Sequence, residues 1–364
     1  MSNFNLTQGY LYTFNSMPRG KDKKTQITNT CNIPYNTITV DLNANCLICG
    51  CDAWLPISVG KVEEFDSIEE VMQSPIAKIL QNDVTDKKYT WCAVENCGIA
   101  NNDIVSNQFS LNINVDESCN LKCPSCRRDT IMHTSGEVVA YKKRVVAHIM
   151  SWLSKFKTPI HIRLSGNGDP LASLVIRPLI KHYRPSDTQT FTLQTNGLLI
   201  KKQLNNSPLL PNITTIIIGV DAGSRSVYEN VRAGGKWNIL IENFEFLVSI
   251  KKNKIVSLTF ALQNNNYTDL ENFIDICNRY GFKGTIHGIN DWGTWNSMET
   301  NEPDTWTISH GIYADQDVLN ATHTNYNKCK AIVKNILSHS YNNINVGNVD
   351  VVNKLGLSHV QQKK

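Results

Sequence analysis

From Gln108 onward the sequence alternates short strand-like runs with longer amphipathic helical runs, and that alternation constrains the fold more than any other feature. Strand-like runs fall at 109–115, 161–165, 190–194, 213–220, 255–262 and 284–289. Helical patterns lie between them at about 138–155, 171–182, 199–204, 237–252 and 269–280, the last stopped by Gly281. Strands separated by helix-length crossovers predict an α/β fold with a parallel sheet. In barrels of this kind the reacting groups lie at the C-terminal ends of the strands, so the loop after each run is where chemistry is expected.

Those loops are rich in polar groups. After the first run comes Cys119-Asn-Leu-Lys-Cys123-Pro-Ser-Cys126. Three thiolates at this spacing can hold three irons of a cubane [4Fe-4S] cluster. No other cysteine lies within 20 residues on either side, so the fourth iron has no protein ligand and is open to a small molecule. The alternatives are structural thiols or zinc, which takes four ligands, usually from two paired half-sites. After the second run, Gly166 and Gly168 permit close backbone approach to a ligand, and Asp169 offers a carboxylate to an ammonium group; an ordinary turn is the plainer alternative. Gln194-Thr-Asn-Gly197 follows the third run at a tight bend. Asp221 follows the fourth, able to accept from a ribose hydroxyl or to touch substrate, with Arg232 beyond it. Arg232 can grip a carboxylate bidentately or serve in a structural ion pair. The amide-rich Gln263-Asn-Asn-Asn266 after the fifth run reads as an adenine or ribose contact, or equally as a solvated loop.

Together these loops resemble the radical SAM superfamily. In that family the open iron binds the amine and carboxylate of S-adenosylmethionine (SAM). An electron from the cluster then cleaves SAM to a 5′-deoxyadenosyl radical, which abstracts a substrate hydrogen. The resemblance implies that Cys119, Cys123 and Cys126 ligate the SAM cluster. Ser165-Gly-Asn-Gly-Asp-Pro170 is similar to the Gly-Gly-Glu-Pro motif that holds the SAM amino group, with Asp169 as the carboxylate and Asn167 in place of a glycine. Gly166, Asn167, Gly168 and Asp169 are therefore implied SAM contacts, as are Thr195 and Asn196 of a Thr-Asn-Gly segment. Asp221 and Arg232 match the Ser-x-Asp-(Ala/Gly)…Arg-Gly-Gly segment of SPASM-type members; Gly219 stands in for the serine, losing any hydroxyl contact. Ser125 stands where many members place an aromatic residue against adenine. The six β/α units, over 106–290, match the family's partial (β/α)6 TIM-like barrel. No residue is assigned as the catalytic acid or base.

The N-terminal third is cysteine-rich. Cys31, Cys46, Cys49, Cys51, Cys92 and Cys97 all precede the triplet, while Cys277 and Cys329 follow it. A strand is expected at 37–41, and Ser67-Ile-Glu-Glu70 reads as a capping box opening a helix. A short helix is expected from Pro75 to Leu80. This region, 31–105, resembles the SPASM/twitch auxiliary-cluster module of radical SAM enzymes, although that module usually follows the barrel. The resemblance implies an auxiliary [4Fe-4S] cluster on Cys31, Cys51, Cys92 and Cys97, with Cys49 and Cys46 as alternates. A zinc-stabilised subdomain could be built from the same ligands. The expected fold is thus α/β, a partial (β/α)6 barrel preceded by a small cysteine-rich α+β module. Residues 1–30 read as an arm and 291–364 as an extension in which Trp292, Trp295 and Trp306 suit a lid or a plug.

Composition adds exclusions. A net charge of +4 is too mild to indicate nucleic acid, and the one basic run, 19–24, reads as a solvated loop. No signal peptide and no membrane-length apolar stretch is visible, so a cytoplasmic chain with no membrane partner is expected. Eleven cysteines in such a chain argue for metal ligation or redox use over disulfides. The resemblance further implies a flavodoxin or ferredoxin-type electron donor. It implies a peptide or protein side chain as substrate, with a small sugar-like or other polar metabolite as the alternative. A non-catalytic iron–sulfur or zinc interaction protein is the rival of a different class; it would have no use for cofactor loops at successive strand ends.

Overall fold

The structure, a computed structural model, describes residues 27–50, 54–94, 97–290, 312–339, 341–346 and 349–357. Cys51, the basic run 19–24 and the three tryptophans at 292, 295 and 306 lie outside these residues. The chain divides into two compact units: Met1–Asn112 with Ser151–Ile160, and Ile113–Met150 with His161–Lys364.

The first unit holds strands β1 (Thr37–Val40), β2 (Asn45–Leu47) and β3 (Ser58–Lys61), then helices α1 (Ile68–Gln73) and α2 (Pro75–Thr85), then β4 (Phe109–Ile113). The strand order is β4-β1-β2-β3. β1–β2 and β2–β3 are antiparallel. β1 alternates Thr37-Ile38-Thr39-Val40 as its sequence predicts, yet all four positions are buried, so both of its faces are covered. Ser67 caps α1 by accepting the Glu70 N–H at 3.2 Å, as its sequence predicts. The reciprocal bond runs one residue earlier than in a capping box, from the Asp66 N–H to Glu70 Oε2 at 2.7 Å. α2 begins at Pro75 as expected and continues past Leu80 to Thr85; Gln81, Asp83 and Val84 are buried and extend its packed face.

The second unit is the α/β body. It contains most of α3 (Glu137–Lys155), then β5 (Ile160–Leu164), α4 (Arg177–His182), β6 (Gln189–Thr195), α5 (Ile200–Leu204), β7 (Ile213–Gly219), α6 (Arg225–Val231), α7 (Trp237–Ile250), β8 (Ile255–Leu262), α8 (Leu270–Tyr280), β9 (Lys283–Gly288), α9 (Tyr326–Ser338) and β10 (Ile344–Asn345). The strands lie in sequence order, β5 to β10. Pairing is parallel from β6 through β10. Gly281 ends α8 in the left-handed conformation at φ +63°, as read from sequence. The short β2, β3, β10 and α6 were not legible, being too brief to carry a period of their own.

The sheet of the second unit has two unlike faces. Ile216, Ile218, Leu258, Phe260, Leu262 and Ile286 are fully buried on one side. On the other, the register aligns Gln194 with Ile217 and Ser257, Gly219 with Thr259 and Thr285, and Ala261 with His287. This second face is partly exposed and mostly polar. Cys277 and Cys329 are fully buried, and burial pushes each thiol up to about 12.

Candidate active site

Cys119, Cys123 and Cys126 line one cavity of about 240 Å³ at the C-terminal ends of the parallel strands, together with Asp169, Thr195, Asn196, Asp221 and Arg232. The cysteine loop is folded by its backbone. The Cys126 and Arg127 N–H groups both donate to the Cys123 carbonyl, at 2.9 and 3.0 Å. The Cys119 N–H donates to Ile131 O at 2.7 Å, and the Lys122 N–H to Ala233 O at 3.0 Å. Cys123 is 5% exposed, Cys119 half-buried and Cys126 exposed.

Two arginines offset the cost of ionising these thiols. Burial pushes Cys123 up to about 11, while Arg232 pulls it back; its Nη1 stands 3.7 Å from Cys123 Sγ. Burial and nearby Asp169 raise Cys119, while Arg127 opposes the rise. Arg127 is anchored through the Glu117 carbonyl at 2.7 Å and through the Asn167 carbonyl.

Arg232 reaches Cys123 because Gly219 has no side chain: a Cβ there would lie 2.4 Å from Nη2. Gly219 therefore does more than lose a hydroxyl, since it makes room for the guanidinium. The same nitrogen pairs with Asp221 Oδ2 at 2.7 Å. Asp221 adopts φ +56°, unusual for a residue with a side chain. Its Oδ1 accepts the Ala261 N–H at 2.8 Å, and its carbonyl accepts from Asn266 Nδ2 at 3.0 Å. Asn266 is fully buried and also donates to the Ala261 carbonyl at 2.9 Å. It is a brace for Asp221, which replaces both readings of the amide-rich loop for that residue.

Asp169 is buried, and burial raises its pKa against several hydrogen bonds. Oδ1 accepts the Leu171 N–H at 2.8 Å; Oδ2 accepts Thr195 Oγ1 at 2.8 Å and the Asn196 N–H at 2.6 Å. It thus ties the β5 loop to the β6 loop. The Asp169 N–H donates to Ser118 O at 2.8 Å, drawing that loop against the cysteine loop. The approach is so close that a Cβ on Gly168 would lie 2.3 Å from Ser118 O. Gly166 takes φ +141° beside Asn114. Asn196 donates to Asn120 Oδ1 at 2.9 Å and stands 3.8 Å from Cys119 Sγ.

Some contributors were not singled out from sequence. Buried Asp116 accepts Ser173 Oγ at 2.6 Å and contacts His133 Nδ1 at 3.0 Å. Burial pushes it up, but hydrogen bonds from Ser173, Ser118 and His133 outweigh this and hold the carboxyl below its ordinary value. Asp269 anchors the loop after β7 by accepting the Gly223 and Ser224 N–H groups at 2.6 and 2.9 Å. His287 lines the cavity with Nδ1 at 2.9 Å from the Gly288 carbonyl; a carbonyl only accepts, so Nδ1 carries a proton. The position of His287 near a strand end was the available signal.

In the first unit Cys31, Cys92 and Cys97 pack around one apolar cluster with Val84, Tyr89 and Ile99. Burial raises Cys31, a backbone N–H at Ile33 opposes, and Cys97 adds to the rise. Cys46 is fully buried in β2 and raised by burial and by Asp41, Glu64 and Glu63. Cys49 is also buried, its carbonyl accepting Thr39 Oγ1 at 2.6 Å. Among the described residues, no group of three or more His, Cys, Asp or Glu is placed to hold a single metal ion.

Residues 113–277 match the domain model of the Radical SAM superfamily. Such a domain implies SAM and a [4Fe-4S] cluster, and the residues fit both. The Nε atoms of Arg127 and Arg232, cavity-lining residues, are buried without a protein acceptor. The glycine turn Gly166-Asn167-Gly168 lines the same cavity as the thiols. The search of the curated proteins returned no match. Similar solved structures include Streptococcus suis SuiB bound to precursor peptide SuiA, at 12% identity, TM-score 0.44, covering 80% of this chain and 57% of that one. SuiB bound to S-adenosylmethionine is 14% identical at TM-score 0.44, covering 79% and 64%. Native anSMEcpe with bound AdoMet and Cp18Cys peptide is 20% identical at TM-score 0.35, covering 50% of each chain. The chain thus spans less than two thirds of the length of the SuiB structures.

Proposed function

We propose that this chain is a radical SAM enzyme acting on a peptide or protein side chain. The observation that carries the reading is the convergence of Cys119, Cys123 and Cys126 on one cavity with the loops of Asp169, Thr195 and Asp221. When bound, the cluster and SAM supply one-electron cleavage to a 5′-deoxyadenosyl radical that takes a hydrogen from substrate. The three thiolates hold three irons, and Arg127 and Arg232 stabilise their charge. The backbone of Gly166, Asn167 and Gly168 receives the methionyl end of SAM. Asp169, braced by donors from Leu171, Thr195 and Asn196, lines the cavity and is the carboxylate that would meet the ammonium group. Thr195 and Asn196 hold Asp169 in place. Asp221 orients Arg232, whose Nε is available to a carboxylate.

The partition into arm (1–30), auxiliary module (31–105), core (106–290) and extension (291–364) belongs to the same proposal. Cys31, Cys51, Cys92 and Cys97, with Cys49 and Cys46 as alternates, would hold an auxiliary [4Fe-4S] cluster, which would supply a second redox centre or a substrate-holding site. Cys46, raised by three carboxylates, is the least suited alternate. The electron donor is a flavodoxin or ferredoxin-type protein, and the setting is cytoplasmic; among the described residues no helix is long and apolar enough to cross a membrane. Oxidation of a small polar metabolite is a second reading, favoured by the hydroxyl-bearing Thr192, Ser257, Thr259 and Thr285 on the polar sheet face.

The test is iron and sulfide content with EPR of the anaerobically reconstituted chain, with and without SAM, against a Cys119→Ala/Cys123→Ala/Cys126→Ala variant. About eight irons, with a reduced signal that SAM perturbs only in the wild type, is the expected result for two cubanes. Zinc without iron, and no response to SAM, would overturn the reading in favour of a scaffold protein.

A further inference from the structure

The polar face of the second unit's sheet carries an arginine that the cofactor site does not use. On β5, His161, Arg163 and Ser165 alternate with buried Ile162 and Leu164. His161 spans two threonines, with Nδ1 at 2.9 Å from Thr190 Oγ1 and Nε2 at 2.9 Å from Thr192 Oγ1. Arg163 Nη2 donates to Gln194 Oε1 at 2.7 Å. These bonds put 161 and 163 on the same face as 190, 192 and 194, and the register continues that face through Ile217, Ser257 and Thr259. Gln194, Thr259 and His287 of this face line the cavity that holds the triplet.

Arg163 is a charge without a counter-charge. It is exposed, and it makes no ion pair among the described residues, whereas Arg232 on the cavity wall is matched to Asp221. Its one side-chain hydrogen bond is to a neutral amide. Neighbouring protein nonetheless desolvates it enough to draw its pKa below the usual arginine value. A guanidinium held by one amide keeps most of its five donors free, in the fork geometry that suits a carboxylate or phosphate. The polar side chains of the same face, Thr192, Ser257, Thr259 and Thr285, bring no negative charge to compete.

We propose that Arg163, held in place by Gln194, is a specificity-determining residue that binds an anionic group of the substrate, a carboxylate or a phosphate, beside the triplet cavity. This rests on the catalytic reading above for the identity of the substrate site, but the anion subsite itself is a property of the chain's own residues. A peptide substrate would present an acidic side chain or terminal carboxylate there, and a small metabolite an acid or phosphate group.

The test is calorimetric binding of glutarate, glycerol 3-phosphate and the neutral glutaramide to the full chain. It is made on the as-purified chain and on the reconstituted chain with SAM, for wild type, R163Q and R163K. The expected result is binding of at least one anion, weakened roughly tenfold to a hundredfold in R163Q and partly kept in R163K, with glutaramide indifferent to the substitution. Which anion binds tells carboxylate from phosphate. No binding of either anion, equal binding to R163Q, or a parallel loss of glutaramide would each overturn the proposal. Circular dichroism and the melting temperature of R163Q separate misfolding from a lost contact, and Gln194→Ala, expected to weaken the same anion less, repeats the test through the holding residue. An anion that binds wild type but not R163Q in a chain that loads no iron would sustain the subsite and overturn only the radical SAM reading.

Discussion

The two cysteine-rich regions differ in what surrounds their sulfurs. Around Cys119 and Cys123 stand Arg127 and Arg232, cations that lower the cost of a thiolate. Around Cys31, Cys92 and Cys97 stand Val84, Tyr89 and Ile99, and around Cys46 three carboxylates that raise it. A thiolate is the form that binds metal. The triplet is therefore electrostatically prepared for an anionic cluster in a way that the described N-terminal cysteines are not. The difference separates a site built by charge from one that would be built by burial.

The largest expected effect tests whether that difference matters. Cys97→Ser is expected to remove about four irons from the reconstituted chain and leave the SAM-sensitive signal intact, whereas Cys46→Ala removes none. Iron undiminished in both variants would leave the N-terminal cysteines without a cluster, and an equal loss in both would make Cys46 a ligand.

Arg232→Met comes next. It strips a largely buried cation from Asp221, which is 2% exposed and 2.7 Å away, and from Cys123. Leaving a buried charge unpaired costs about 3–5 kcal/mol, read as a lower urea midpoint. Lys88→Met, which breaks an exposed pair with Asp86 at 2.8 Å, is expected to leave the midpoint almost unchanged. Similar midpoints for the two would show that Arg232 is not committed to the pair.

Much of this geometry was readable before any coordinates. The strand starts and stops of β5 to β9 followed from apolar runs, and the loops after them were identified as the place for chemistry. What could not be read was how the loops lean on one another. Gly219 registered as a missing serine, because a sequence shows what a residue lacks and not what it admits; only the position of the Arg232 guanidinium turns the absence into space. Asn266 looked like a ligand contact because its role, bracing Asp221 at φ +56°, depends on a partner 45 residues away. Arg163 drew no notice because a lone arginine in a strand has no motif; its meaning comes from the cross-strand partner Gln194.

The glycine contacts give the next step down in size. Gly168→Ala sets a Cβ 2.3 Å from a backbone oxygen of the cysteine loop, which cannot rotate away. Gly219→Ala sets one 2.4 Å from the end of a flexible side chain, which can. Overpacking costs about 1–3 kcal/mol, with Gly168→Ala expected at the upper end and Gly219→Ala at the lower. Thermal unfolding measures both. Iron content separates them further, since Gly219→Ala moves only the cation and Gly168→Ala moves the loop carrying Cys119. A larger loss for Gly219→Ala would mean that the guanidinium is fixed as rigidly as backbone.

The smallest effect concerns Asp116, under the cysteine loop. Its folded pKa is depressed, because Ser173, Ser118 and His133 bond the carboxylate strongly enough to outweigh burial. A carboxyl depressed on folding adds stability above its unfolded value, about 3.9, and loses that stability as pH falls through the folded value. Wild type minus Asp116→Asn should therefore show a stability difference of about 1 kcal/mol at pH 6, shrinking as pH drops below about 4. His133 contacts the same carboxylate, with Nδ1 at 3.0 Å from Asp116 Oδ1, so the comparison is made also in His133→Gln, which removes that partner. A difference that stays constant down to pH 2 would mean that Asp116 braces the loop by shape alone. Charge would then matter at the arginines facing the thiols and not at the carboxylate beneath them.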